Sequence, residues 1–192
     1  MILPIVAYGH PVLRKMCEDI TPDYPKLQEL IANMWETMYS SSGVGIAAPQ
    51  VNRPVRLFVI DSEQIIESLE EEEKAEYPGD NGMKGVFINA HIVETAGEEW
   101  AYNEGCLSIP KVREDVYRPE TITLCYVNEN FEPQERTFTG ITARVIFHEY
   151  DHIDGKLFID HLKPLKRRMI KGKLEDITKG KISVDYKMIF HK

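Results

Sequence analysis

The pentapeptide at residues 148–152 is the stretch whose residue types and spacing point most directly to chemistry. It reads His148-Glu149-Tyr150-Asp151-His152. On a helix with about 3.6 residues per turn, positions i and i+4 share a face. Both imidazoles could therefore bind one metal ion, with Glu149 standing beside it. The spacing predicts a hydrolytic metal site.

Catalytic sites of this kind usually have three protein ligands and leave one position for water, so a third ligand is needed. The position at which metzincins carry a further histidine is Phe158 here. Glu175 could serve if the basic segment around it folded back as a helix. Cys106 is the better candidate, because a thiolate is a soft anionic ligand and Gly105 permits close approach. A free cysteine is, however, commonly just a small buried hydrophobe.

Two helices are predicted, and the second carries the pentapeptide. Thr21-Pro22 favours a helix start, and apolar residues then repeat at helical spacing to about residue 41. The second helix is expected to open at Thr139 or Thr142 and to end at Gly155. Its inward face would carry Ile141, Val145, His148 and His152.

Short β-branched and aromatic segments predict strands at residues 55–60, 85–92, 98–102, 121–127 and 135–139. Residues 128–130 suggest a hairpin turn between the last two. Residues 182–190 could add a terminal strand or remain a loose tail. The expected fold class is α+β, with short antiparallel or mixed β-sheets packed around a central helix that carries the metal-binding motif.

Length and composition favour one globular domain, so the predicted metal site belongs to a single catalytic domain that spans residues 1–192. The chain is 43% hydrophobic with a net charge of -8, which allows a real core and argues against sequence-specific nucleic-acid binding. A polar acidic stretch at about 62–84 is expected to be a surface insertion outside the core, and a basic segment begins at about 163. No apolar run reaches the ~20 residues that span a bilayer, and the first residues lack the features of an export or import leader, so we expect no membrane partner and a cytoplasmic location.

Three segments, in this order along the chain, resemble the signature motifs of the peptide deformylases. They are Gly43-Val44-Gly45-Ile46-Ala47-Ala48-Pro49-Gln50, Glu104-Gly105-Cys106-Leu107-Ser108 and the pentapeptide. The resemblance extends from the first helix to about Leu165. It implies a cytoplasmic hydrolase that removes the N-formyl group from the N-terminal formylmethionine of newly synthesised polypeptides and releases formate. Phe147 departs from the family pattern, which often has glutamine there.

The resemblance also implies roles for individual residues. The ligands of one divalent metal ion would be Cys106, His148 and His152. Fe(II) would be the natural metal, with Zn(II), Ni(II) or Co(II) able to replace it. Glu149 would act as general base and acid, and the Gln50 amide and the Leu107 backbone N–H would donate to the developing oxyanion. Glu104 and Asp151 could orient the imidazoles, whereas His10, His91, His161 and His191 are expected to be surface or packing residues.

Substrate contacts are expected from the glycine-rich segments and from the inward face of the second helix. The candidates are Gly43, Gly45, Ile46, Gly105, Arg113, Ile141 and Val145. Main chain near the glycines could pair with an extended peptide as an added strand, and the aliphatic side chains could wall a methionine pocket. Plain core packing is an equal alternative for Ile141. The basic segment could bring the enzyme to ribosomal RNA near N-formylmethionyl nascent peptides.

Three other functions fit part of this pattern. A metallopeptidase could use Glu175 or another ligand in place of Cys106. A copper electron-transfer protein could use two histidines and a cysteine, but it would give Glu149 no purpose. A non-catalytic metal-binding module would tolerate the loss of Glu149.

Overall fold

The computed structural model describes residues 1–191, so Lys192, which the predicted domain of residues 1–192 includes, lies outside the described residues. The α-helices are α1 Leu27–Ser40, α2 Glu63–Ser68, α3 Glu71–Lys74, α4 Gly140–Ile153 and α5 Pro164–Thr178. The strands are β1 Ile5–Val6, β2 Gly45–Ala47, β3 Leu57–Asp61, β4 Lys84–Ala96, β5 Trp100–Cys106, β6 Ile109–Arg118, β7 Thr121–Val127, β8 Pro133–Thr139 and β9 Met188–Ile189. The predicted α+β class is confirmed.

The strands form one main sheet and two small ones. The main sheet is antiparallel with the order β2-β3-β4-β7-β8, so β2 lies at one edge. Strands β5 and β6 form an antiparallel hairpin, and β9 pairs in parallel with β1. The predicted hairpin between β7 and β8 is confirmed. Strand β6 was not predicted from the sequence, because charged residues interrupt its apolar pattern.

Alternating side chains of β3 build the two larger hydrophobic clusters on opposite faces of the sheet. Leu57 and Val59 lie in a cluster that includes the apolar face of α1. Phe58 and Ile60 lie in the cluster that surrounds α4. This is the expected consequence of the two-residue period of a strand. The main sheet therefore separates α1 from α4.

Helix α4 is buried along almost its whole length. At its N-terminus the Asp80 carboxylate accepts hydrogen bonds from the Thr142 backbone N–H at 2.8 Å and from its hydroxyl at 2.6 Å. Helix α4 ends before Gly155, whose φ of 71° lies in the left-handed region that favours glycine. A side chain at Gly155 would also meet the Arg14 backbone at 2.7 Å. Both ends of the helix that carries the pentapeptide are thus fixed.

Two expectations from the sequence are wrong. Helix α1 begins at Leu27 and not near Pro22, because Pro25 disfavours helical geometry at Tyr24 and Lys26 has a φ of 57°. The stretch at 62–84 does not lie outside the core: Ile66 is buried in the cluster around α4, and Met83 packs against it. The acidic residues of this stretch are exposed while its apolar residues and Asp80 support α4.

A third cluster joins the β5–β6 hairpin, α5 and the two ends of the chain. Backbone hydrogen bonds of 2.8 Å run from Ile5 N–H to the Lys187 carbonyl and from Ala7 N–H to the Ile189 carbonyl. Of the two alternatives left open for residues 182–190, the terminal strand is formed, but it is only two residues long. Within residues 1–191, none of the helices combines the length and the apolar character that crossing a bilayer requires.

Candidate metal centre and active site

The structure brings Cys106, His148 and His152 together. One ligand atom from each lies within 4.8 Å of the others. Cys106 is the last residue of β5, and the two histidines lie one turn apart on α4. The Cys106 Sγ lies 3.2 Å from the Nε2 of His152. A soft sulfur and two imidazole nitrogens in this arrangement could hold a divalent metal ion.

The charge and hydrogen bonding of these three residues suit the binding of a metal cation. Burial opposes ionisation of Cys106, but the neighbouring His152 and His148 more than offset it and lower the pKa of the thiol to about 5. Burial also opposes protonation of His148, yet Cys106 and Glu104 keep its pKa well above the usual value. The cluster thus attracts positive charge. Among the described residues, the buried Nδ1 of His152 has no hydrogen-bond partner.

The buried Glu104 carboxylate, itself held by the Arg118 guanidinium, orients the His148 imidazole. The Nδ1 of His148 lies 2.9 Å from Glu104 Oε2, which leaves Nε2 free to face the cluster. Arg118 donates to both oxygens of Glu104, at 2.7 and 3.0 Å, and to Asp151 at 2.8 Å. Although burial opposes ionisation, hydrogen bonds from His148 and Arg118 keep the pKa of Glu104 below its usual range. His161, expected to be a surface or packing residue, lies 2.7 Å from Asp151.

Glu149 lies in the same site, and burial raises its pKa to about 7. Its Oε2 makes no hydrogen bond within the part of the chain that the structure describes. Gly45 packs against it so closely that a Cβ at position 45 would lie 2.5 Å from Oε1. A side chain at position 45 would therefore displace the Glu149 carboxylate, which is suited to gain or lose a proton near neutral pH.

Gln50 and Leu107 lie next to the cysteine. The Gln50 side chain accepts from the Ala47 backbone N–H at 2.9 Å and donates to the Ser108 hydroxyl at 3.2 Å. Its amide nitrogen also lies 3.5 Å from Cys106 Sγ. The glycine-rich segment and the cysteine segment are therefore connected directly by the Gln50 side chain.

A cavity of about 810 Å³ opens onto these groups. Five of the predicted substrate residues line it: Gly43, Gly45, Gly105, Arg113 and Val145. Ile46 and Ile141 do not, and the prediction that they wall a substrate pocket is corrected. Ile46 packs in the cluster with α1 and Ile141 in the cluster around α4, because each side chain points from the backbone into the core. Arg113 donates to the Asn103 side chain at 2.8 Å.

Several residues of the site were not found from the sequence. Arg144 lines the cavity and donates to the Val116 carbonyl at 3.1 Å. Helical spacing could have found it, since it precedes His148 by four residues. Arg118 and Tyr186 meet the site only through tertiary folding, and no local pattern signals them. Glu175, the alternative ligand, lies on exposed α5 within 3.8 Å of Lys171.

Fold and site together define a metal-dependent hydrolase. A sequence model of the polypeptide deformylase family matches residues 2–168. The chain belongs to the peptide deformylase family, whose members remove the N-formyl group from nascent polypeptides.

Its relatives and the solved structures agree. The peptide deformylase of Christiangramia forsetii is 58% identical over 190 residues, which cover 99% of this chain and 96% of that one. The Flavobacterium johnsoniae protein is 56% identical, with coverage of 99% and 96%. Crystal structures of peptide deformylases from Legionella pneumophila and Plasmodium falciparum are 35% and 32% identical, with TM-scores of 0.76 and 0.78. They cover 94% and 92% of this chain, and the matched parts are 98% and 95% of those chains.

Proposed function

We propose that this chain deformylates N-formylmethionyl peptides at the cavity, with Cys106, His148 and His152 as the metal ligands. The observation that carries the proposal is the meeting of these three side chains next to the cavity, which Cys106, His148 and Glu149 line. When bound, the metal acts as a Lewis acid that polarises a carbonyl group and makes water more acidic. We propose Fe(II) in the cell, with Zn(II), Ni(II) or Co(II) as substitutes, since sulfur and imidazole ligands suit all of these ions.

Glu149 is the group that moves the proton. Its pKa of about 7 allows the carboxylate to accept a proton from the attacking water and then to donate it to the departing amine. Because Gly45 closes one side of the carboxylate, the side chain has little freedom to turn away. The products are formate and a free methionyl N-terminus.

Gln50 and the Leu107 N–H stabilise the negative charge that develops on the formyl oxygen. Gln50 is 2% exposed and is held by Ala47 and Ser108, so its amide is oriented before substrate arrives. Preorganised donors of this kind are each worth about 10²–10³ in rate. The glycine-rich segment and the cysteine segment thus supply one hydrogen-bond donor each.

The substrate peptide would lie along the cavity in an extended conformation. Strand β2 is at the edge of the main sheet, and Gly43 and Gly45 line the cavity, so their main chain could pair with the peptide. Gly105 offers main chain on the other side, while Val145 provides an apolar wall. Backbone pairing gives binding with little sequence preference. Arg113, at the exposed rim, would contact the peptide beyond the methionine.

Helix α5 is the proposed contact with ribosomal RNA. It presents an exposed row of cations together with two exposed apolar side chains, Leu165 and Met169. The cations are Lys163, which directly precedes the helix, and Lys166, Arg167, Arg168, Lys171 and Lys173. Such a basic face favours a polyanion near emerging chains. We propose a single catalytic domain over residues 1–192 and a cytoplasmic location, where nascent chains are made.

Formate release from formyl-Met-Ala-Ser, measured on anaerobically purified protein, tests the proposal. Anaerobic handling is needed because Fe(II) and a thiolate are both oxidised by air. We expect formate from this peptide, no cleavage of the matched acetyl-Met-Ala-Ser, and iron in the elemental analysis. Cleavage of an internal peptide bond without formate release would support a metallopeptidase instead.

A further inference from the structure

The end of the chain passes the catalytic cavity. Four consecutive residues, Ser183, Val184, Asp185 and Tyr186, line the cavity on a side that neither the glycine-rich segment nor α4 provides. All four lie beyond residue 168, where the match to the family model ends. The wall formed by residues 183–186 is therefore outside the three motifs that define the site.

This tail is held next to the cysteine segment by backbone pairing. Strand β9 begins two residues after Tyr186 and pairs with β1. Just after β1, the Tyr8 backbone N–H donates to the Ser108 carbonyl at 2.8 Å. A continuous set of backbone hydrogen bonds thus connects β9, through β1, to the residue that follows Leu107. The position of the tail relative to the cysteine segment is therefore fixed on the C-terminal side of Tyr186.

Tyr186 itself reaches the cysteine segment. Its hydroxyl donates to the Leu107 carbonyl at 2.8 Å, and its ring packs against the cluster that includes α1. Burial, together with the nearby Cys106, raises the pKa of Tyr186 to about 12, so the hydroxyl remains a donor at neutral pH. Gln50 binds the Ser108 side chain at 3.2 Å. The peptide units around Leu107 are therefore restrained both by Tyr186 and through Ser108.

We propose that Tyr186 is a positioning residue for deformylation: by holding the Leu107 carbonyl, it keeps the Leu107 N–H aimed at the developing oxyanion. This inference rests on the proposed role of that N–H. A hydrogen bond to the carbonyl limits rotation of the Leu107 backbone, which also carries the N–H. Because the oxyanion exists only near the transition state, a misaligned donor lowers kcat more than it raises KM.

Tyr186→Phe tests the proposal, since it removes only the hydroxyl. Steady-state formate release from formyl-Met-Ala-Ser should show kcat reduced by about 5- to 20-fold, a fraction of what losing a whole oxyanion donor costs, with KM changed by less than about twofold. Metal content should equal that of the unaltered chain. The matched control is Tyr24→Phe: Tyr24 packs against the same cluster, and its hydroxyl makes no hydrogen bond to the residues described here. We expect the control to keep full kcat.

Three outcomes would overturn the positioning role. They are an unchanged kcat, a loss confined to KM, and a fall in kcat that is matched by loss of metal, which would indicate a disturbed Cys106. The unaltered chain separates this inference from the proposed function. If it fails to release formate, the proposed function is wrong, whereas normal release with an unaffected Tyr186→Phe variant rejects only the role of Tyr186.

Discussion

Helices α4 and α5 have nearly equal lengths, 14 and 15 residues, but opposite surroundings. In α4 twelve residues are buried, Asp80 accepts hydrogen bonds at its N-terminus, and the Cys17 backbone N–H donates to the Ile153 carbonyl at its C-terminus. In α5 only Ile170, Leu174 and Ile177 are buried, on one narrow stripe. Helix α4 is therefore packed on every side, whereas α5 is packed along one line.

The difference shows how one small chain keeps its precisely positioned site residues apart from its proposed partner surface. The proposed ligands and base need positions fixed to within a fraction of an ångström, and a helix that is packed all round supplies them. A partner surface needs exposed charge and tolerates local motion. Substitutions in α4 and its supports should therefore affect chemistry and stability strongly, and those at the exposed positions of α5 should affect neither.

The largest expected effect is that of Glu149→Gln. The amide cannot accept the proton from water, so kcat for formate release should fall by about 10³. The ligands are untouched, so metal content should be unchanged. The matched control is Glu175→Gln on α5, which should keep full activity. Substantial turnover in the Glu149 variant would contradict the assignment of the base and favour a non-catalytic role for this residue.

The second-largest effect is expected from removal of the proposed sulfur ligand. Cys106→Ser replaces an anionic thiolate by a neutral hydroxyl, and metal affinity measured by competition with a chelator should fall by at least about 100-fold. Cys125→Ser, at an exposed cysteine, is the control and should bind metal normally. If the Cys106 variant bound metal as tightly as the unaltered chain, the sulfur would not be a ligand, and Glu175 would have to be considered again.

Loss of the buried Arg118 guanidinium should affect activity less than the two preceding substitutions do, but it should lower stability strongly. Arg118→Met leaves the carboxylates of Glu104 and Asp151 buried without their cation, which should lower the free energy of unfolding by about 3–5 kcal/mol. Metal affinity should also fall, by about 10- to 100-fold, because His148 loses its orientation. Denaturant unfolding checks the first value. Arg168→Met on α5 is the control, and equal stability loss in both variants would contradict the comparison.

The smallest effect on the folded chain is expected from charge reversal on α5. Arg168→Glu with Lys173→Glu should change the free energy of unfolding by less than about 0.5 kcal/mol and leave formate release from short peptides unaltered. Ribosome binding should weaken, and the slope of its dependence on salt concentration should fall by about 2. Unchanged binding in a sedimentation assay would remove the proposed role of α5.

The fold was predictable where structure is local. The pentapeptide helix, most strands and the β7–β8 hairpin follow from periodicity and turn residues. The start of α1 was missed because Pro25 outweighs the favourable Thr21-Pro22 pair. The core contribution of residues 62–84 was missed because Ile66 is isolated among acidic residues.

The site was predictable only in part, and the reason is sequence separation. The spacing of His148 and His152 identifies them as a pair. Cys106 lies far from them in the sequence and was identified by resemblance. Arg118 and Tyr186 contact Glu104 and Leu107 through tertiary folding, and an isolated arginine or tyrosine carries no local signature of such a contact. Ile46 and Ile141 were misassigned because core and pocket walls demand the same aliphatic side chains.

Strand β3 has one further consequence. Its residues alternate between two hydrophobic clusters, so a slip of one position would send Phe58 toward α1 and Leu57 toward α4 at the same time. Neither of these two clusters can lose its packing while the other keeps it. Heating should therefore produce a single calorimetric transition whose van't Hoff and calorimetric enthalpies agree.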